Sequence, residues 1–102
     1  MKSKRTKACE ISKEVKEKVY KRDGGRCIFC GNIGIPNAHF IPRSAGGLGI
    51  EENIFTACIY CHHEQDNGKN TKYYDKKAEE YLKSKYKNWN KENLIYNKWR
   101  VK

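Results

Sequence analysis

A small α+β fold stapled by a metal ion is what this chain predicts, and three patterns in its 102 residues predict it. Apolar residues recur at helical spacing in two stretches, 11–22 and 72–86. A short run over 37–41 reads as a strand, and four of the five cysteines fall into two Cys-x-x-Cys pairs. Only 37% of the residues are hydrophobic. A chain this small and this polar struggles to offset its conformational entropy with a core alone, so a cross-link is expected.

The elements follow in order. Residues 1–10 contain little apolar material and read as a frayed or extended basic arm. Ile11, Val15 and Val19 then recur every fourth position, one stripe of a helix to about Arg22. Ser12 is placed as its N-cap, Glu14 lies in the first turn, and Asp23-Gly24-Gly25 ends it. Cys27-Ile28-Phe29-Cys30-Gly31 reads as a tight turn. Asn37 to Ile41 reads as a strand stopped by Pro42, and Arg43 to Ile50, with three glycines, as an irregular loop. A helix is expected from near Cys58 to Asn67-Gly68. Tyr74, Ala78, Tyr81 and Leu82 mark another over about 72–86, and Asn90 caps a last short one carrying Leu94, Ile95 and Trp99. No repeat or long linker divides the chain, so 1–102 is read as one domain: the arm, a core over 11–68, and a basic helical extension over 69–102.

The pairs Cys27/Cys30 and Cys58/Cys61 are separated by 27 residues. Each pair can set two thiolates on one edge of a zinc tetrahedron with Zn–S of about 2.3 Å. The competing reading is two redox pairs or disulfides, which lacks a thioredoxin-like βαβ setting and leaves an odd thiol. Cys9 is that thiol, read as free. Four thiolates fill the coordination of Zn²⁺, so this ion would hold the fold and perform no chemistry.

The net charge of +10 is uneven: +6 over 1–26, −3 over 27–68 and +7 over 69–102. Basic flanks suit a polyanion, since each Lys or Arg on a phosphate releases a counterion, although a Lys-rich surface also serves solubility. Tyr73, Tyr74, Tyr81, Tyr86, Trp89, Tyr96 and Trp99 interleave with the downstream lysines. Tyr74, Tyr81 and Trp89 are read as packing residues in preference to base stackers. Lys72, Lys76 and Lys83 are candidate backbone contacts, because lysine lacks the bidentate geometry of arginine. No apolar run reaches the roughly 18 residues of a membrane span, and no hydrophobic stretch follows the basic N-terminus. A cytoplasmic protein of a bacterial or phage-infected cell is therefore expected.

All three histidines, His39, His62 and His63, lie in or beside the segment between the cysteine pairs. The run Ala38-His39-Phe40-Ile41-Pro42-Arg43-Ser44 with Gly46-Gly47, then Glu52-Asn53-Ile54, then Thr56-Ala57-Cys58-x-x-Cys61-His62-His63 resembles the HNH endonuclease motif. It is most similar to small zinc-stapled HNH proteins of phages and mobile elements, over roughly residues 20–68. The resemblance implies a ββα-metal (His-Me finger) core: a hairpin with the first His, an ordered loop, then a helix with the last. It implies metal-dependent hydrolysis of DNA, duplex in preference to RNA, leaving 5′-phosphate and 3′-hydroxyl ends. His39 would be the general base and Asn53 the brace of the loop. His62 would be a ligand of a catalytic Mg²⁺, Mn²⁺ or Ni²⁺. His63 is open between second ligand, phosphate contact and exposed residue, and Arg43 between phosphate clamp and solvated loop residue. One departure stands out. Family members often carry a metal-binding side chain just before the general base, and here that residue is Ala38. The alternative to a nuclease is thus a catalytically weakened, zinc-stapled DNA-binding module. A zinc-ribbon partner subunit without a nucleic-acid role is a third reading.

Overall fold

A computed structural model of the chain describes residues 3–97. The arm departs from expectation at once. Ser3 accepts a hydrogen bond from the Thr6 N–H at 3.1 Å and starts helix α1 (Lys4–Cys9). Within the described residues the arm is thus not frayed. The little apolar surface it has is committed, with Cys9 only 3% exposed. Helix α2 (Lys13–Asp23) follows the sequence reading closely: Ser12 Oγ caps the Val15 N–H at 3.2 Å, and Gly24 ends it at φ +66°. Val19 is fully buried, while Ile11 and Val15 are half-buried.

Two strands form one antiparallel pair, β1 (Ile35–His39) and β2 (Ile54–Ala57). Their register sets Ile35 against Ala57, Ala38 against Phe55 and His39 against Ile54, with a bulge between Ile35 and Ala38. The strand begins two residues earlier than the apolar run indicates. Pro36, which has no N–H to give a ladder, is accommodated because the pairing breaks at that bulge. It also ends two residues earlier, because the Ile41 N–H turns to the Asn53 side chain instead of a strand partner. A single 3₁₀ turn (Arg43–Ala45) interrupts the connecting loop.

Helix α3 (Ile59–Asn67) starts directly after β2 with Cys58 as its N-cap, and helix α4 (Thr71–Lys85) follows. Asn90 caps only a 3₁₀ turn (Lys91–Leu94), its Oδ1 accepting from the Glu92 N–H at 2.9 Å. The expected final helix stops there because the chain pairs with the loop instead. The Leu48 N–H donates to the Leu94 carbonyl, and the Tyr96 N–H to that of Gly46. Trp99 lies outside the described residues.

One apolar cluster joins these elements: Ala38 and Phe55 of the sheet, Ala78 and Leu82 of α4, Leu94, and the buried Cys27 and Cys61. Beside it runs a polar clasp. Arg22 Nε donates to Asp23 Oδ1 at 2.7 Å, and its terminal nitrogens reach the Glu51 and Ile54 carbonyls and Tyr86 Oη. Asp23 also accepts from the Thr56 N–H and from Tyr81 Oη. A buried ion pair is tolerable when its remaining donors and acceptors find partners, and here they tie α2 to β2 and α4. No helix among the described residues is long and apolar enough to cross a membrane.

Candidate functional site

The two cysteine pairs converge. Gly31, at φ +81°, lets its N–H return to the Cys27 carbonyl at 2.9 Å, closing the first turn around its sulfurs. The second pair sits where α3 begins: Cys58 Sγ accepts from the Cys61 N–H at 3.4 Å. The Ile28 N–H donates to the Thr56 carbonyl at 3.1 Å, which holds the first turn against the strand leading to the second.

All four sulfurs lie within 4.8 Å of one another, with Cys30 and Cys58 3.6 Å apart. A tetrahedron with Zn–S of about 2.3 Å has sulfur edges of about 3.8 Å, so the set fits a four-coordinate ion. None of the five cysteines is disulfide-bonded. Burial works against ionising Cys27, but the backbone N–H groups of Cys58, Cys30 and Phe29 outweigh it and bring the thiol down to about 7. Burial, with the neighbouring sulfurs, drives the Cys61 thiol the other way. Four sulfurs this close cannot all ionise unaided, and a bound divalent cation would supply the missing compensation. The cluster can therefore hold a structural metal ion.

A second feature opens beside α3. A cleft of about 980 Å³ is lined by His39 from β1, by His62, Gln65 and Asp66 from α3, and by Asp75 from α4. Thr6, Glu10 and Ile11 line it from the N-terminal segment, Lys16 from α2, and Arg43 from the loop. His39 and His62 thus share one cavity although they lie 23 positions apart in sequence.

His39 is half-buried, and its Nε2 lies 2.9 Å from the Cys9 carbonyl oxygen. A carbonyl only accepts, so in the neutral ring Nε2 carries the proton and Nδ1 is the basic nitrogen. Burial pushes the ring's pKa below its ordinary 6.5. The Cys9 carbonyl works against that shift, and Arg43 and His62 reinforce it.

Asn53 is fully buried. Its Oδ1 accepts from the Ile41 N–H at 2.8 Å, and its Nδ2 donates to the carbonyls of Ile41 at 3.1 Å and Leu48 at 2.8 Å. It therefore grips the chain two residues beyond His39 and again across the glycine loop.

The remaining candidates divide. Arg43 is exposed at the cleft wall. His63 is exposed and absent from the lining, because it follows His62 by one residue and so projects about 100° around the helix. Lys72, Lys76 and Lys83 are exposed on α4 but also line no part of the cleft. Tyr74, Tyr81 and Trp89 pack: Tyr74 meets Phe29 edge-on at 4.9 Å, Tyr81 reaches Asp23, and Trp89 Nε1 donates to the Glu52 carbonyl at 2.8 Å.

Ala38 has no exposed surface and lies in the apolar cluster, on the opposite face of β1 from His39. Sequence reasoning missed Asp66, whose Oδ2 lies 3.4 Å from His62 Nε2; the i, i+4 spacing on one helix face was the available signal. It missed Gln65 as well. That side chain is 4% exposed, donates to the His39 carbonyl and to Asp75 at 3.4 Å each, and its Oε1 has no partner among the described residues. Burial raises the Asp75 carboxyl above its ordinary 3.8.

Comparison with models of known protein families, with curated proteins and with solved structures returned no match.

Proposed function

We propose that this chain is a metal-dependent endonuclease of the HNH type, hydrolysing DNA phosphodiester bonds, with a ββα-metal core stapled by zinc at Cys27, Cys30, Cys58 and Cys61. The observation that carries the reading is the shared cleft: His39 at the end of a strand, with Nδ1 as its basic nitrogen, opens on the same cavity as His62 at the start of the following helix.

In this reading His39 Nδ1 takes a proton from water, leaving a hydroxide to form the new P–O bond. The bond to the 3′ oxygen breaks, that oxygen takes up a proton from solvent, and the imidazolium later returns its proton to solvent. Asn53 keeps the chain around His39 in place. Arg43, at the cleft wall, neutralises phosphate charge and remains hydrated when no substrate is bound. His62 and Asp66 offer one nitrogen and one oxygen 3.4 Å apart, a chelating pair for a hard cation that retains waters, so the missing donor at Ala38 does not empty the site. Such a divalent ion would supply charge stabilisation to the phosphate and the departing oxygen.

Plasmid nicking by zinc-loaded protein with Mg²⁺, Mn²⁺ or Ni²⁺ tests the proposal. Cleavage that disappears in His39→Ala supports it. Wild type that cuts no better than this variant with every metal, on supercoiled, linear and single-stranded DNA, overturns it.

The burial of Ala38 in the apolar cluster favours one second reading, a DNA-binding module without turnover. It predicts salt-sensitive DNA binding and no strand breaks, and a His39-dependent nick excludes it.

A further inference from the structure

Helix α1 belongs to the cleft as much as the motif residues do. The last carbonyls of a helix lack intrahelical partners and must find them elsewhere. In α1 each is accounted for. The Glu10 N–H serves the Thr6 and Lys7 carbonyls at 3.2 and 3.3 Å. The Gly49 N–H donates to Ala8 at 2.9 Å, and the Cys9 carbonyl faces His39 Nε2 at 2.9 Å. Arg5 adds a tether, its Nη2 donating to the Ser44 carbonyl at 3.1 Å.

The fit is tight where α1 ends. A Cβ placed on Gly49 would lie 1.9 Å from the Glu10 carbonyl oxygen and 2.5 Å from its carbon, so only glycine lets the chain after α1 seat there. A carbonyl placed against one imidazole nitrogen fixes the ring's rotation and dictates which nitrogen is bare. The negative end of a helix also steadies a cation within its last turn.

We infer that α1 is a positioning element for the proposed general base: the Cys9 carbonyl holds His39 by Nε2, keeps the proton off Nδ1, and steadies the imidazolium formed when Nδ1 takes a proton from water. The charged or titratable groups acting on the ring from the remaining elements are Arg43 of the loop and His62 and Asp66 of α3. None of them supplies a hydrogen bond to Nε2. The inference rests on the reading of His39 as base, and it makes a segment outside the HNH-like motif part of the active site.

The test uses the full zinc-loaded chain. Long-range proton–nitrogen NMR of the histidine rings should show His39 with its proton on Nε2, protected from solvent exchange. In Gly49→Ala, with zinc content and far-UV circular dichroism unchanged, that protection should fall at least about tenfold. The kcat for plasmid nicking should fall by a similar factor while KM for DNA stays within about twofold, as expected when a base is mispositioned. Arg5→Ala loosens the same contact without crowding it; it should give a smaller loss of protection, and it keeps the test decisive if Gly49→Ala fails to fold. A wild-type ring protonated on Nδ1, or protection unchanged in both variants, overturns the inference while leaving the nuclease reading intact if the protein cuts. A protected Nε2 proton in a protein that cuts nothing overturns the nuclease reading instead.

Discussion

Asn53 binds both backbone groups of Ile41, accepting from its N–H at 2.8 Å and donating to its carbonyl at 3.1 Å. A side-chain amide thereby does the work of a strand neighbour at the point where β1 has ended. Asn53→Ala would leave part-buried Ile41 and Leu48 backbone groups unpartnered, and a stability loss of about 2–3 kcal/mol is expected. Asn53→Asp keeps the acceptor and loses both donors, so it should cost almost as much. Urea denaturation measures both; a loss under about 0.5 kcal/mol would show that the brace is not structural.

The four-sulfur cluster should govern folding itself. One equivalent of zinc is expected on metal analysis, and chelation should abolish the cooperative thermal transition, because binding energy at such a site is folding energy. Cys61→Ser should lose the metal and the transition together. A chelated protein that still melts cooperatively at the original temperature would contradict this.

Asp23 is buried against Arg22 and receives Tyr81 Oη and the Thr56 N–H. Asp23→Ala leaves the guanidinium uncompensated and should cost about 3–5 kcal/mol, whereas Tyr81→Phe removes one of several bonds and should cost about 1 kcal/mol. Thermal and denaturant unfolding of the two variants separates them. Equal losses would mean that the Tyr81 hydroxyl, and not the packing of its ring, carries much of the clasp.

These residues mark the limit of what the sequence reveals. Ser12, Gly24, Cys58 and the stripe through Ala78 and Leu82 are legible because capping and periodicity act within a few residues. Asp23 reads only as a helix terminator, since its partners on β2 and α4 lie 33 and 58 positions away. Helix α1 reads as a loose arm because its docking uses backbone carbonyls and the absence of a side chain at Gly49, neither of which leaves an apolar pattern. His39 and His62 in the cleft, and the buried Asn53, are singled out in the sequence by the motif. Gln65 and Asp75 are not, because their meaning depends on the distance between α3 and α4, and Asp66 carries only its i, i+4 spacing from His62.

The depressed pKa of His39 has a consequence for the pH profile. A base works when neutral, and burial keeps this ring neutral to a pH below its ordinary 6.5. Cleavage should therefore be level above about pH 6.5 and fall on the acid side as His39 takes up a proton. An acid limb with its midpoint above the ordinary histidine value would assign the profile to another group. Titration of the His39 ring by NMR on protein without the catalytic cation should give a midpoint at or above that of the acid limb, because a divalent ion at His62 would lower it further.

The most direct test of the proposed chemistry is cleavage of a labelled duplex in ¹⁸O-enriched water by zinc-loaded protein with Mg²⁺ or Mn²⁺. Hydrolysis by a His39-activated water predicts one ¹⁸O atom in the 5′-phosphate product and an unlabelled 3′-hydroxyl. It also predicts a rate at least about 100-fold lower in His39→Ala. Intact duplex with every metal, or a His39→Ala protein that cleaves at the wild-type rate, would contradict it.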